Sequence, residues 1–221
     1  TVGICLVVVM SIGLFACSNE EGENGKIKVT STIGMIGDVV ANIGGEYVES
    51  TSLMKPGIDP HLYKATQGDI NKLDEADIIF YNGLHLEGKM EDIFEKMTKE
   101  KPTVPVTKNV STSVLLEGDD GSQFDPHLWF NVQYWISAAE VIRDELIALD
   151  EENKAYYENN ADEYITKMKE LDAYAKEQMA SIPEENRILV TAHDAFGYFG
   201  EAYGIKVMGL QGISTESEVG S

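Results

Sequence analysis

The feature that most limits how this chain can fold is one long stretch without glycine or proline, at residues 152–181. Apolar residues recur in it at spacings of three and four, which is the period of a helix with one buried face. The stripe consists of Tyr157, Ala161, Tyr164, Met168, Leu171 and Ala175. At about 1.5 Å per residue this helix would be roughly 45 Å long, too long for a crossover within one small sheet. We therefore predict that it braces two separate lobes.

Shorter segments on both sides of this stretch alternate between strand and helix patterns. Strands are predicted at residues 28–31, 47–53, 77–81, 103–107, 187–191 and 205–210. Helices are predicted at residues 34–43, 66–76, 131–149 and 196–203. This alternation is typical of α/β proteins with parallel, doubly wound sheets, in which ligands bind beyond the carboxyl ends of the strands.

Three of the four histidines stand next to aspartates in recurring contexts. His61 and His127 lie in near-copies of one pentapeptide, Asp-Pro-His-Leu-Tyr at residues 59–63 and Asp-Pro-His-Leu-Trp at residues 125–129. His193 comes just after a predicted strand. A neutral imidazole is the commonest transition-metal ligand, so the pattern predicts one metal site that the fold assembles from these three residues. The alternative is that each histidine is an isolated surface or core residue.

The neighbours of these histidines suggest how the site is held. Asp59, Asp125 and Asp194 flank them, and one or more could accept an imidazole N–H and fix its tautomer. A role as loop or helix-cap residues is the alternative for each aspartate. The fourth histidine, His85, is expected at the edge of the cleft and outside the ligand set.

The first residues read as a targeting segment. Residues 2–15 are almost wholly apolar, which is about the length of a signal-peptide core and short for a membrane span. Leu-Phe-Ala-Cys at residues 14–17 is similar to a bacterial lipoprotein cleavage site. We expect residues 1–16 to be a signal peptide clipped at its start. We expect residues 17–25 to be a lipidated Cys17 followed by a flexible acidic tether. An uncleaved membrane anchor is the alternative.

The charge excludes one class of partner. The chain has 17 basic and 38 acidic residues, a formal net charge of −21, so nucleic acid is not an expected partner.

Taken together, the motifs resemble the metal-binding lipoproteins of bacterial ABC importers for zinc and manganese, the cluster A-I solute-binding proteins. The similarity runs from about Lys26 to the last residue. Besides the two Asp-Pro-His segments, the motifs that carry it are Met-Lys-Pro-Gly-Ile at residues 54–58, Asn-Gly-Leu-His-Leu-Glu at 82–87, Thr-Ala-His-Asp-Ala-Phe-Gly-Tyr-Phe at 191–199 and Leu-Gln-Gly-Ile-Ser-Thr at 210–215.

The resemblance implies an α/β fold of two doubly wound lobes joined by one long rigid helix, with metal between the lobes. On this basis residues 26–150 form the first lobe, residues 151–182 the linking helix, and residues 183–221 the start of a second lobe that is truncated in this chain. The resemblance assigns metal ligation to His61, His127 and His193. It places a fourth ligand, a carboxylate, beyond Ser221. We interpret Glu216 and Glu218 as solvated residues.

The function that the resemblance implies is capture of a divalent metal, zinc and/or manganese, and its delivery to an ABC permease. The protein would be a monomer held outside the cytoplasm by the lipid on Cys17, and not an enzyme. Three imidazoles and one carboxylate suit zinc, whereas manganese prefers more oxygen ligands. The segment at residues 117–124 is acidic and has no histidine, which weakens a zinc-only interpretation.

Two other functions stay open on the residues alone. A zinc hydrolase also uses three histidines and a bound water, although no His-Glu-x-x-His motif is present in the sequence. A surface adhesion protein would need a partner-binding patch.

Overall fold

A computed structural model of the chain describes residues 25–118 and 123–215. The predicted signal peptide, Cys17, most of the tether, Glu216 and Glu218 lie outside the described residues. The strands are β1 Ile27–Ser31, β2 Val48–Ser52, β3 Ile78–Tyr81, β4 Thr103–Pro105, β5 Ile188–His193 and β6 Lys206–Gln211. The helices are α1 Gly34–Gly44, α2 Gln67–Glu75, α3 Glu91–Met97, α4 Val132–Leu149, α5 Lys154–Ala180 and α6 Gly197–Tyr203.

The first lobe is built on a parallel sheet with the strand order β2-β1-β3-β4. Its strands alternate with helices along the chain, so each helix returns the chain and the next strand runs parallel to the last. The carboxyl ends of the strands therefore lie at one edge of the sheet. The core between the sheet, α1 and α4 is apolar and fully buried at Val39, Ile79, Phe80 and Ile142. The predicted α/β class with parallel sheets is therefore confirmed.

The long helix is continuous and begins after a 3₁₀ turn at Glu151–Asn153. Its 27 residues correspond to about 40 Å. Helix α5 packs against α1 and α4 of the first lobe and against α6 of the second. The buried face differs from the predicted stripe at two places. Ile165, outside the stripe, is buried, and in the second half of the helix Asp172 is buried whereas Leu171 is 57% exposed.

The burial of Asp172 has a specific cause. Its carboxylate accepts hydrogen bonds from Tyr203 Oη of α6 at 3.1 Å, Gln133 Nε2 of α4 at 2.9 Å and Lys176 Nζ at 2.7 Å. A buried carboxylate is tolerated when its oxygens are paired in this way. Asp172 therefore joins the long helix to one helix of each lobe, which a search for apolar residues could not reveal.

The second lobe contains a parallel pair, β5-β6, within the described residues. Helix α6 connects the two strands and ends at Gly204, whose φ of 67° is the left-handed conformation that glycine adopts most easily at a helix end. Strand β5 runs two residues beyond its predicted end at residue 191, so His193 is the last residue of the strand instead of following it. Across the described residues, no helix is both apolar enough and long enough to cross a membrane.

Candidate metal centre

The structure brings the three predicted histidines together where the two lobes meet. His61 follows the loop after β2, His127 precedes a 3₁₀ turn that leads into α4, and His193 ends β5. The Nε2 atom of His127 lies 3.2 Å from Nε2 of His61 and 3.2 Å from Nε2 of His193. One ring nitrogen of each histidine lies within 4.8 Å of those of the other two. His61 and His127 are buried, and His193 is half-buried.

Hydrogen bonds fix which nitrogen of two rings faces the cluster. His193 Nδ1 donates to the carbonyl oxygen of Gly212 at 2.9 Å, and His127 Nδ1 lies 2.7 Å from Asp125 Oδ1. Both partners are acceptors, so each Nδ1 carries the proton of the neutral ring. The Nε2 atoms of His127 and His193, 3.2 Å apart, are therefore both unprotonated and free to bind a cation.

This geometry fits a bound cation. Two unprotonated nitrogen atoms 3.2 Å apart repel each other through their lone pairs unless both bind the same positive ion. Nitrogen ligands at about 2.0–2.1 Å from a tetrahedral zinc would be about 3.3 Å apart, close to both observed distances. Three converging imidazole nitrogens thus form most of a four-coordinate site.

The two Asp-Pro-His segments form the same local structure. Asp59 Oδ1 accepts the backbone N–H of His61, and Asp125 Oδ1 accepts that of His127, each at 2.9 Å. Asp125 additionally holds the ring of its histidine, as the sequence suggested for at least one flanking aspartate. The ring of His193 is held by the Gly212 carbonyl instead.

His85 lies away from this cluster. Its side chain is exposed, and Nδ1 lies 2.7 Å from Glu91 Oε1. This placement agrees with the expectation that it stands outside the ligand set.

Electrostatics keep His193 in the form that binds metal. Burial lowers the pKa of His193, and the neighbouring His127 lowers it further. A lower pKa favours the neutral imidazole, which is the metal-binding form.

Sequence reasoning missed a tyrosine that ties the second lobe to this site. Tyr198 of α6 is fully buried, and its hydroxyl donates to the carbonyl oxygen of Asp125 at 2.8 Å and accepts from the backbone N–H of Leu116 at 3.1 Å. The rings of Phe130 and Phe196 meet beside it with centroids 4.3 Å apart. Tyr198 thus contacts the residue that orients His127. Its place in the motif at residues 191–199 was the available signal.

We predict that Asp125→Asn weakens metal binding by about 10- to 100-fold, the usual loss when a partner that orients a ligand is changed. Oδ1 of Asp125 accepts both the backbone and the ring N–H of His127, and the neutral amide oxygen of asparagine would be a weaker acceptor for both. Asp59→Asn is the matched control, because its amide oxygen can still accept the His61 backbone N–H. Calorimetric titration with Zn²⁺ gives both dissociation constants. Equal losses in the two variants would contradict this role of Asp125.

Comparisons with known proteins agree with this geometry. The manganese-binding lipoprotein MntA of Bacillus subtilis is 46% identical over 195 residues, which are 88% of this chain and 64% of MntA. The zinc-binding protein TroA of Treponema pallidum is 44% identical over 201 residues, 91% of this chain and 65% of TroA. The chain therefore spans less than two thirds of the length of these relatives.

The fold matches as well. The solved structure of periplasmic zinc-binding TroA from Treponema pallidum superposes with a TM-score of 0.86 at 44% identity, over 89% of this chain and 71% of that one. Residues 29–221 match the family ZnuA, described as zinc-uptake complex component A, periplasmic. With this match over most of its length and these relatives, the chain belongs to the ZnuA family of metal-binding solute-binding proteins.

Proposed function

We propose that this protein captures one divalent transition-metal ion with His61, His127 and His193 and passes it to an ABC permease. The observation that carries the proposal is the convergence of three imidazole nitrogens, two pairs of which are 3.2 Å apart. The metal is cargo, so it must be held tightly and also released. Membership in the ZnuA family supports this function over the hydrolase and adhesion alternatives.

The division into lobes gives release a physical basis. In this proposal residues 26–150 form the first lobe, residues 151–182 the linking helix, and residues 183–221 part of the second lobe. His61 and His127 belong to the first lobe and His193 to the second, so a small separation of the lobes would remove one ligand. Such a change needs no rearrangement inside either lobe.

The donor atoms favour zinc over manganese in affinity. Nitrogen ligands bind zinc well, and in the first-row series a given site binds Mn²⁺ more weakly than Zn²⁺. Relatives named as zinc-binding and as manganese-binding are both similar to this chain. The proposed cargo is therefore Zn²⁺ or Mn²⁺, and the availability of each metal outside the cytoplasm contributes to which one is carried.

Metal titration of the purified protein tests this function. Trp129 is a built-in reporter, because its ring centroid lies 5.2 Å from that of His127. We expect saturable tryptophan fluorescence changes with one Zn²⁺ or Mn²⁺ per chain, and tighter binding of Zn²⁺. Absence of saturable binding of either metal by both fluorescence and calorimetry would contradict the proposal.

Zinc affinity should fall as the pH drops through about 6.5, the ordinary pKa of an imidazole. Protons compete with the metal for the ring nitrogens, so binding releases protons and weakens on the acidic side. His193 has a lowered pKa, so it contributes to this loss only at more acidic pH than an ordinary histidine. Titrations in buffers of different ionisation enthalpy count the released protons. An affinity that stays constant from about pH 8 to about pH 5 would argue against imidazole ligands.

We also propose that the protein acts outside the cytoplasm as a monomer anchored by a lipid on Cys17. The apolar residues 2–15 followed by Leu-Phe-Ala-Cys support the anchor, and MntA is named a lipoprotein. In a host that processes lipoproteins, Cys17→Ser should leave the precursor uncleaved or release the protein from the membrane. Cell fractionation with mass measurement of the N-terminus reads both results. Normal cleavage and unchanged membrane retention would count against lipidation.

A further inference from the structure

The segment Asn-Gly-Leu-His-Leu-Glu at residues 82–87 supplies no residue to the histidine cluster, yet its two ends are buried at the edge of the first sheet. Glu87 is 2% exposed, and its carboxylate accepts three hydrogen bonds. Oε1 accepts from Thr32 Oγ1 at 2.6 Å and from the backbone N–H of Asn82 at 2.8 Å, and Oε2 accepts from the backbone N–H of Gly83 at 3.2 Å.

Asn82, directly after β3, connects this carboxylate to the metal site. Its side chain is fully buried, and Nδ2 donates to the carbonyl oxygens of Pro126 at 2.9 Å and Gly83 at 3.0 Å. Thr107 Oγ1 donates to the Asn82 carbonyl at 2.7 Å. The Asn82 amide therefore reaches across 44 residues of sequence to the carbonyl that immediately precedes His127.

The loop between Asn82 and Glu87 adopts an uncommon conformation to close this network. Gly83, Leu84 and His85 all have positive φ, at 86°, 53° and 67°. Positive φ is uncommon for residues other than glycine and persists where surrounding contacts enforce it. The turn brings the Glu87 carboxylate back to the backbone N–H groups of Asn82 and Gly83. By holding the Asn82 backbone, Glu87 also holds the Asn82 side chain in place.

We propose that Asn82 is a positioning residue for metal binding, which holds the Pro126 carbonyl and thereby sets the place of His127, with Glu87 and Thr32 as its support. This inference rests on the proposed metal-binding function. His127 is then held on both sides, because Asp125 accepts its backbone N–H and Asn82 binds the carbonyl before it. A metal site tolerates ligand distances that vary by only about 0.2 Å, so the loss of one such support matters.

A purely structural role is the competing explanation, since the same network also joins the loops after β1 and β3. Burial raises the pKa of Glu87, which shows that its environment disfavours the charged carboxylate. If the network served only stability, a substitution in it would weaken metal binding only as far as it destabilised the whole fold. A positioning network changes the place of the His127 ring directly, and that difference can be measured.

Asn82→Asp tests the inference with little change in shape. The aspartate has no N–H, so an acceptor oxygen faces the Pro126 carbonyl. We expect at least about tenfold weaker Zn²⁺ binding, as for other groups that orient a ligand. In the metal-free protein we expect the ring resonances of His127 to shift in nitrogen and carbon NMR spectra, while those of His85 stay in place. Thr30→Val is the matched control, because it removes a buried hydrogen bond of β1, to the Lys72 carbonyl at 3.1 Å, that is not part of this network.

Glu87→Gln provides a second variant in case Asn82→Asp does not fold. The glutamine can still accept from Thr32 and the Asn82 N–H, but its amide group faces the Gly83 N–H. We expect a smaller loss of zinc affinity and a smaller shift of the His127 resonances. The inference is overturned if the folded variants keep wild-type affinity and His127 resonances, or if Thr30→Val at equal thermal stability produces the same changes. A wild-type protein that binds no metal would instead refute the proposed function, and the metal-free spectra would still test the positioning of His127.

Discussion

His127→Ala is expected to reduce zinc affinity more than any other single substitution in the histidine cluster. His127 is the central residue, since its Nε2 lies 3.2 Å from Nε2 of both other histidines. Its removal takes away a ligand together with the ring that Asp125 orients. Because loss of an orienting partner alone costs about 10- to 100-fold, loss of the ligand should exceed 100-fold. Calorimetric or competition titration with Zn²⁺ measures this change.

His85→Ala is the control for this prediction. It removes an imidazole of the same lobe that is exposed and paired with Glu91 instead of facing the cluster. We expect its zinc affinity to equal that of the unmodified protein. Similar losses in His85→Ala and His127→Ala would contradict the assignment of the ligands.

Ala161→Pro is expected to cause the largest loss of stability. Ala161 is fully buried in the interior of α5, about two turns after its start, on the face that packs against α1 and α4. Proline there removes a backbone hydrogen bond and clashes with the preceding turn, which costs about 3 kcal/mol or more. For a chain of this size that corresponds to a fall in the melting temperature of roughly 6–12 °C. A kink would also displace His193 relative to His61 and His127 and weaken metal binding.

Ala155→Pro in the same helix is the control that distinguishes the effect of proline itself from the effect of its position in the helix. Ala155 is exposed and lies in the first turn of α5, where proline is tolerated. We expect a much smaller fall in melting temperature and near-normal zinc affinity. Thermal unfolding followed by circular dichroism gives the comparison. Equal destabilisation by both prolines would contradict the role of the buried helix interior as the brace between the lobes.

Much of the fold was predictable because its signals are local. The capping-box pattern at Thr66 and Asp69 begins α2, and Gly204 ends α6, as the sequence indicated. The structure adds that the Asn131 side chain caps α4. The short helix α3 was not predicted, because its seven residues are too few to show a helical period. The stripe on α5 was wrong at Leu171 because the burial of Asp172 depends on partners in α4 and α6 that are distant in sequence.

The three clustered histidines were predictable from the sequence, and the groups that support them were less so. The repeated Asp-Pro-His pattern marked His61 and His127, and the strand before His193 marked that residue at the carboxyl end of a strand in the second sheet. The groups that orient the rings include backbone carbonyls, such as Gly212, and a backbone carbonyl leaves no signature in sequence. The contact of Tyr198 with Asp125 likewise depends on how the two lobes pack.

We propose that one metal ion is bound by three imidazoles drawn from both lobes. X-ray absorption at the zinc edge, on protein loaded with one equivalent of Zn²⁺, counts these imidazoles. We expect three imidazole nitrogens at about 2.0–2.1 Å, and two in His193→Ala. A spectrum with fewer than three imidazoles in the unmodified protein, or one that does not change in His193→Ala, would contradict it.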